Sequence, residues 1–62
     1  MYQSRSFHRG YQKIARQLAN GGDPFRVRLQ REDASFAARN LSGAARYYQL
    51  GIEAAILDAF GC

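Results

Sequence analysis

Cysteine and long apolar runs are scarce in this chain of 62 residues, and each shortage excludes a class of protein. Cys62 is the only cysteine, so neither an internal disulfide nor a zinc site built from several cysteines can form. No stretch approaches the roughly 20 apolar residues that cross a bilayer, and the first residues lack the apolar run of a signal peptide. We therefore expect a cytoplasmic protein, stabilised by helix packing, self-association or a partner.

Acidic residues are scarce in the first half of the chain. Residues 1–31 contain seven Lys and Arg against one acid, Asp23, which gives a formal charge of +6. Residues 32–62 contain two Arg against four acids, which gives −2. Such asymmetry favours a nucleic acid or another anionic partner, and a merely solvated basic surface is the alternative.

The chain also lacks the combinations of residues that catalysis requires. His8 is the only histidine, it has no carboxylate nearby in sequence, and Cys62 lies at the other end of the chain. Glu32 and Asp33 are adjacent, so they point in different directions on a helix and form no acid–base pair. The glycines at 21–22 belong to no phosphate-binding loop motif. We expect no enzymatic activity, no cofactor, no metal ion and no small-molecule substrate.

Apolar residues recur at helical spacing in three segments, at about 4–20, 24–39 and 42–60. This pattern predicts an all-α fold in which two or three short helices form a compact hairpin or bundle. The chain 1–62 is expected to be one domain. Because a chain of this length buries only about 60% of its unfolded surface, we expect dimerisation to complete the fold. The sequence NGG at 20–22 favours a left-handed stop after the first helix.

Residues 25–30 are open to two interpretations. Their sequence, FRVRLQ, alternates between apolar and polar residues as a half-buried strand does. Asp23 followed by Pro24, however, is typical of an N-cap and a first helical residue. We favour a helix, because the chain offers no second strand, and a strand paired across a dimer is the alternative.

The third segment becomes apolar on nearly every side after Glu53. A helix of that kind is buried on several sides, so we expect a second copy or a protein partner to cover it. The residues expected at this interface are Tyr48, Ile52, Ile56, Leu57 and Phe60.

The basic N-terminal half is the candidate nucleic-acid interface. Four basic residues of the first segment follow one another at steps of four, four and three, and so share a helix face. Arginines neutralise phosphates, and exposed aromatic rings stack on unpaired bases. The residues expected to contact RNA are Arg5, Arg9, Tyr11, Gln12, Lys13, Arg16, Arg26, Arg28 and Arg31.

Motifs in both halves of the chain resemble ribosome modulation factor, a family of small basic proteins. The sequence RGYQ at 9–12 is followed by Pro24 and Phe25 at the interval that the family has. The family's closing pattern of an aromatic residue, a glycine, a bulky apolar residue and an alanine also recurs. The connection before that pattern is longer here, and tyrosine and isoleucine replace the usual tryptophans. The resemblance implies that a compact helical protein binds small-subunit ribosomal RNA through 9–12, Pro24 and Phe25. The residues that repeat the closing pattern are Tyr48, Gly51, Ile52 and Ala55.

Two further resemblances leave alternatives open. The sequence at 36–52 has the general pattern of a DNA-binding helix-turn-helix, with Arg46 and Gln49 placed to reach bases and Glu53 placed to repel phosphate. The sequence at 40–55 resembles the second helix of a tetratricopeptide-type pair, which indicates a helical hairpin. We favour an RNA- or ribosome-binding regulator of translation. The alternatives are a protein-interaction module or inhibitor that docks through its third helix, and a helix-turn-helix regulator.

Overall fold

The computed structural model describes residues 2–61, with side chains from 5 to 61. It contains three helices: α1 (Tyr2–Ala19), α2 (Pro24–Asn40) and α3 (Gly43–Phe60). The predicted all-α bundle is confirmed, and residues 25–30 are helical, as we favoured. Dimerisation remains a prediction. Within residues 2–61, no helix combines the length and the apolar character needed to cross a bilayer.

The end of α1 follows the local sequence. Gly21 adopts a φ of +80°, in the left-handed region that glycine tolerates. The Gly22 N–H donates to the Gln17 carbonyl at 2.7 Å, and the Gly21 N–H donates to the Leu18 carbonyl at 3.2 Å. This pair of hydrogen bonds is the Schellman motif, which satisfies carbonyls that the last helical turn leaves free. The predicted stop at 20–22 is confirmed.

The beginning of α2 is also set locally. The Asp23 carboxylate accepts a hydrogen bond from the Phe25 N–H at 3.0 Å, and Pro24 occupies the first helical position. At the other end, α2 ends at Asn40 and Ser42 is the N-cap of α3, so the break between the two helices is where the sequence predicts it.

Helix α3 packs extensively against both other helices, whereas α1 and α2 contact each other little. One of the links between α1 and α2 is a 3.0 Å hydrogen bond from the Gln30 side chain to the Gln17 side chain. Ile14 and Ile56 are fully buried at the centre of the molecule. The core cluster comprises Ile14, Val27, Ala34, Ile52, Ala55 and Ile56, with Tyr11, Leu18 and Tyr48 packed against it.

Candidate nucleic-acid interface

Two glycines bring the backbones of α1 and α3 into direct contact. A Cβ atom on Gly10 would overlap the Tyr48 carbonyl oxygen and lie 3.1 Å from the Ile52 nitrogen. A Cβ atom on Gly51 would overlap the Phe7 carbonyl oxygen and lie 3.0 Å from the Tyr11 nitrogen. Both distances are shorter than ordinary van der Waals contact, so only glycine fits at either site. The reciprocal contact fixes which face of α1 is turned toward α3.

A solvent-exposed side of α1, away from the glycine contact, carries the basic side chains. Gly10 and Ile14 are buried toward the rest of the molecule, and the four basic positions of α1 are exposed. None of these four side chains makes a hydrogen bond to another residue within 5–61. We call this set the α1 basic stripe, and Gln12 lies exposed beside it. The stripe consists of Arg5, Arg9, Lys13 and Arg16.

Tyr11 is not part of the stripe. It is half-buried against the core, and its hydroxyl donates a 2.6 Å hydrogen bond to the carboxylate of Asp58 on α3. That hydrogen bond is the largest cause of a raised pKa at Tyr11, and desolvation and the negative charge of Asp58 act in the same direction. The structure therefore uses Tyr11 to hold α1 on α3.

The three arginines predicted on the second segment belong to α2. Arg26, Arg28 and Arg31 are exposed on α2. Arg28 and Arg31 line a shallow surface depression together with Leu57 and Phe60 of α3, and no residue of α1 lines it. The α1 basic stripe and this arginine pair therefore do not line a common depression.

Of the residues predicted at a partner interface, some are buried in the core of this chain and others are exposed. Ile52 and Ile56 are 4% and 1% exposed, because they fill the core between α3 and the other helices. Tyr48 is half-buried against the same core. Leu57 and Phe60 remain on the surface, with 41% and 36% of their area exposed. Ile52 and Ile56 are thus enclosed by this chain itself, and of the five residues predicted at the interface only Leu57 and Phe60 are exposed.

Two apolar side chains that were not predicted at any interface are still more exposed. Leu29 is 54% exposed and Phe36 is 69% exposed, both on α2, and Phe25 on the same helix is 67% exposed. The signal that could have found them is their spacing of four and seven residues, which places all three on one side of a helix.

Comparison of the chain with family models, with curated proteins and with solved structures finds no match. His8 is exposed on α1. Among the described residues, no three His, Cys, Asp or Glu side chains gather as metal ligands would. The described features that bear on function are therefore the surface charges and the exposed apolar side chains.

Proposed function

We propose that this protein is a non-enzymatic regulator that binds RNA, and ribosomal RNA in particular, through the α1 basic stripe. The observation that carries the proposal is four exposed cations on one rigid helix face, without hydrogen bonds to the described residues. Cations that no internal acceptor holds are available to phosphates, and neutralising phosphates releases counterions and favours binding.

The length of the stripe suits a nucleic-acid backbone. Arg5 and Arg16 are eleven residues apart, which corresponds to about 16 Å along a helix. The glycine crossing holds α1 against α3, so the stripe does not have to be ordered when it binds. A preformed row of charges contacts several phosphates at a lower entropic cost than a flexible basic tail does.

The choice of RNA over DNA rests on the resemblance to ribosome modulation factor. Its two best motifs lie at 9–12 and at 48–55, far apart in the chain, and they meet in the structure at Gly10 and Gly51. Motifs that pack against each other support one shared structural role. Arg9, the first residue of the first motif, belongs to the stripe, so the motif that shapes the crossing also supplies a phosphate contact.

Salt-dependent binding tests the proposal. Binding of the full chain to small ribosomal subunits, to a structured RNA and to duplex DNA is measured by fluorescence anisotropy between about 50 and 200 mM salt. We expect tighter binding to RNA than to DNA, and a linear fall of the logarithm of affinity with the logarithm of salt. The variant Arg9→Glu/Arg16→Glu should weaken RNA binding at least tenfold and flatten the salt dependence, since two phosphate contacts are lost.

A matched variant separates the stripe from net charge. Arg39→Glu/Arg46→Glu changes the charge by the same amount at exposed positions on α2 and α3. We expect it to weaken binding less than threefold. Equal weakening by both double variants would show that net charge alone attracts the RNA. Absence of salt-sensitive binding to any RNA would refute the proposal.

A further inference from the structure

Helix α2 is apolar on two opposite sides. Its inner side buries Val27, Ala34 and Ala38 against the other helices. A second row of apolar residues, spaced four and seven apart, lies about half a turn away from the inner row. These residues are more than half exposed, and we call them the α2 outer stripe: Phe25, Leu29 and Phe36.

Charged residues border the outer stripe in a regular order. Arg28 and Glu32, four residues apart, lie on one flank, and Arg39 follows seven residues later on the same flank, near the end of α2. Arg26 and Asp33, seven residues apart, lie on the other flank. Arg28, Glu32, Arg26 and Asp33 are exposed, and an arginine comes before the acid on both flanks. None of the four takes part in the side-chain hydrogen bonds of the described residues.

We infer that the outer stripe binds a second copy of this chain, with the two α2 helices antiparallel and a two-fold axis beside Leu29. In such a pair each flank of α2 faces the same flank of the other copy, which runs in the opposite direction. If one residue contacts a second residue of the other copy, the two-fold axis repeats that contact with the copies exchanged. Arg28 then meets Glu32 of the second copy, and Arg26 meets Asp33. Each of these opposite-charge contacts occurs twice.

The register is consistent along the whole helix. The midpoints of Arg28–Glu32, of Arg26–Asp33 and of Phe25–Phe36 all fall within one residue of position 30. The same axis therefore pairs both sets of charges, sets the two phenylalanines of opposite copies against each other, and places the two Leu29 side chains side by side. Aromatic rings at such a contact contribute more than their area alone.

Charge order selects a second copy over other occupants. A parallel pair of α2 helices would set arginine against arginine. A uniformly acidic or basic partner would place a charge of the same sign opposite one residue of each flank. Only a helix with the reverse order of charges matches both flanks, and α2 itself supplies that order when turned around. This inference is independent of RNA binding, because it uses no residue of α1.

The association is expected to be of modest affinity. Helix α2 has 17 residues, about 25 Å, so a contact along one face of it falls short of the roughly 800 Å² per partner of a standard interface. Sedimentation equilibrium of the full chain should therefore show a monomer and a dimer whose ratio changes over micromolar concentrations. A monomer at every concentration up to about 1 mM, in the range typical of very weak complexes, would overturn the inference.

Charge reversal and its rescue test the register. Arg28→Glu and Glu32→Arg should each weaken dimerisation at least tenfold, because like charges then face each other across the axis. The double variant Arg28→Glu/Glu32→Arg has the net charge of the natural chain and should dimerise within threefold of it. A double variant as weak as the single ones would refute this pairing. All these positions are exposed, and circular dichroism verifies that each variant keeps its helices.

Matched substitutions on α2 and α3 test which of the two helices forms the dimer interface. Leu29→Glu should abolish dimerisation, whereas Tyr47→Glu, at an exposed aromatic position of α3 that does not line the depression with Arg28, should leave it unchanged. The opposite result would move the interface to α3 and overturn the inference.

Cross-linking locates the axis directly. In a Cys62→Ser background, Leu29→Cys should form a disulfide-linked dimer on mild oxidation, since the two copies of position 29 are neighbours. Gln12→Cys, exposed on α1, is the control and should stay monomeric. Equal cross-linking at both positions would indicate random collision and refute the proposed axis.

Discussion

Gly10→Ala reverses the ordinary preference of a helix for alanine. At an exposed helical position alanine stabilises a helix by about 1 kcal/mol relative to glycine. At position 10 the new methyl group would overlap the Tyr48 carbonyl oxygen and lie 3.0 Å from its carbonyl carbon. These are backbone atoms of α3, which cannot rotate away as the end of a side chain can. The helices must therefore move apart.

The separation weakens packing along the α1–α3 contact. A gap of 0.5–1 Å forfeits a quarter to a half of each dispersion contact, and overpacking a rigid site costs about 3 kcal/mol. The gain of about 1 kcal/mol in helix propensity offsets part of this, which leaves a net loss of about 2 kcal/mol. A chain of this size is stable by roughly 3–9 kcal/mol. We therefore expect the melting temperature to fall by about 8–16 °C.

Circular dichroism during thermal and urea denaturation measures the loss. Ala15→Gly, on the exposed surface of α1, is the control and should cost about 1 kcal/mol, so glycine and alanine change places in rank within one helix. Gly51→Ala should behave like Gly10→Ala, and the double variant should lose less than the sum, because the first separation relieves the second clash. A Gly10→Ala variant as stable as the natural chain would refute direct backbone contact at the crossing.

Two further predictions concern Asp23 and Tyr11. Asp23→Ala should cost about 1 kcal/mol in urea denaturation, because the Phe25 N–H loses its acceptor, and an unchanged midpoint would contradict the cap. The hydrogen bond to Asp58 raises the pKa of Tyr11 above its ordinary value of 10.0 in the folded state. The folded state thus binds the proton more tightly, so this stabilisation is complete below the unfolded pKa and disappears as the pH rises through the folded pKa. We expect the natural chain to lose stability between pH 9 and 11 in urea denaturation and Tyr11→Phe to lose less, and identical profiles would argue against the hydrogen bond.

Local signals explain why the helices could be predicted. A Schellman stop needs only the glycines at 21–22, and the cap of α2 needs only Asp23 and the residues just after it. Such features involve neighbours in sequence, so they can be recognised without knowing the fold. The same holds for the α1 basic stripe, because residues that share a helix face do so whatever the helix packs against.

Tertiary contacts explain what the sequence did not reveal. Gly10 and Gly51 each look like a small cost to helix stability until the two helices are brought together. Ile52 and Ile56 were expected to meet a partner, because periodicity indicates which side chains are buried but not which neighbour buries them. In the structure that neighbour is the chain's own core, and the most exposed large apolar side chains lie on α2 instead.

The strand-like alternation of FRVRLQ and the α2 outer stripe both arise because α2 is apolar on two opposite sides. Residues two apart on a helix differ by about 200° in direction, so alternating apolar residues point to opposite sides. Val27 therefore enters the core, while Phe25 and Leu29 face outward. A helix with a single buried face typically carries polar residues on its outer side, where α2 has Phe25 and Leu29. Since α1 packs on α3 and barely touches α2, a dimer formed through α2 would leave the basic stripe of each copy free. Under the proposed function, two linked stripes would then bind an RNA more tightly than one.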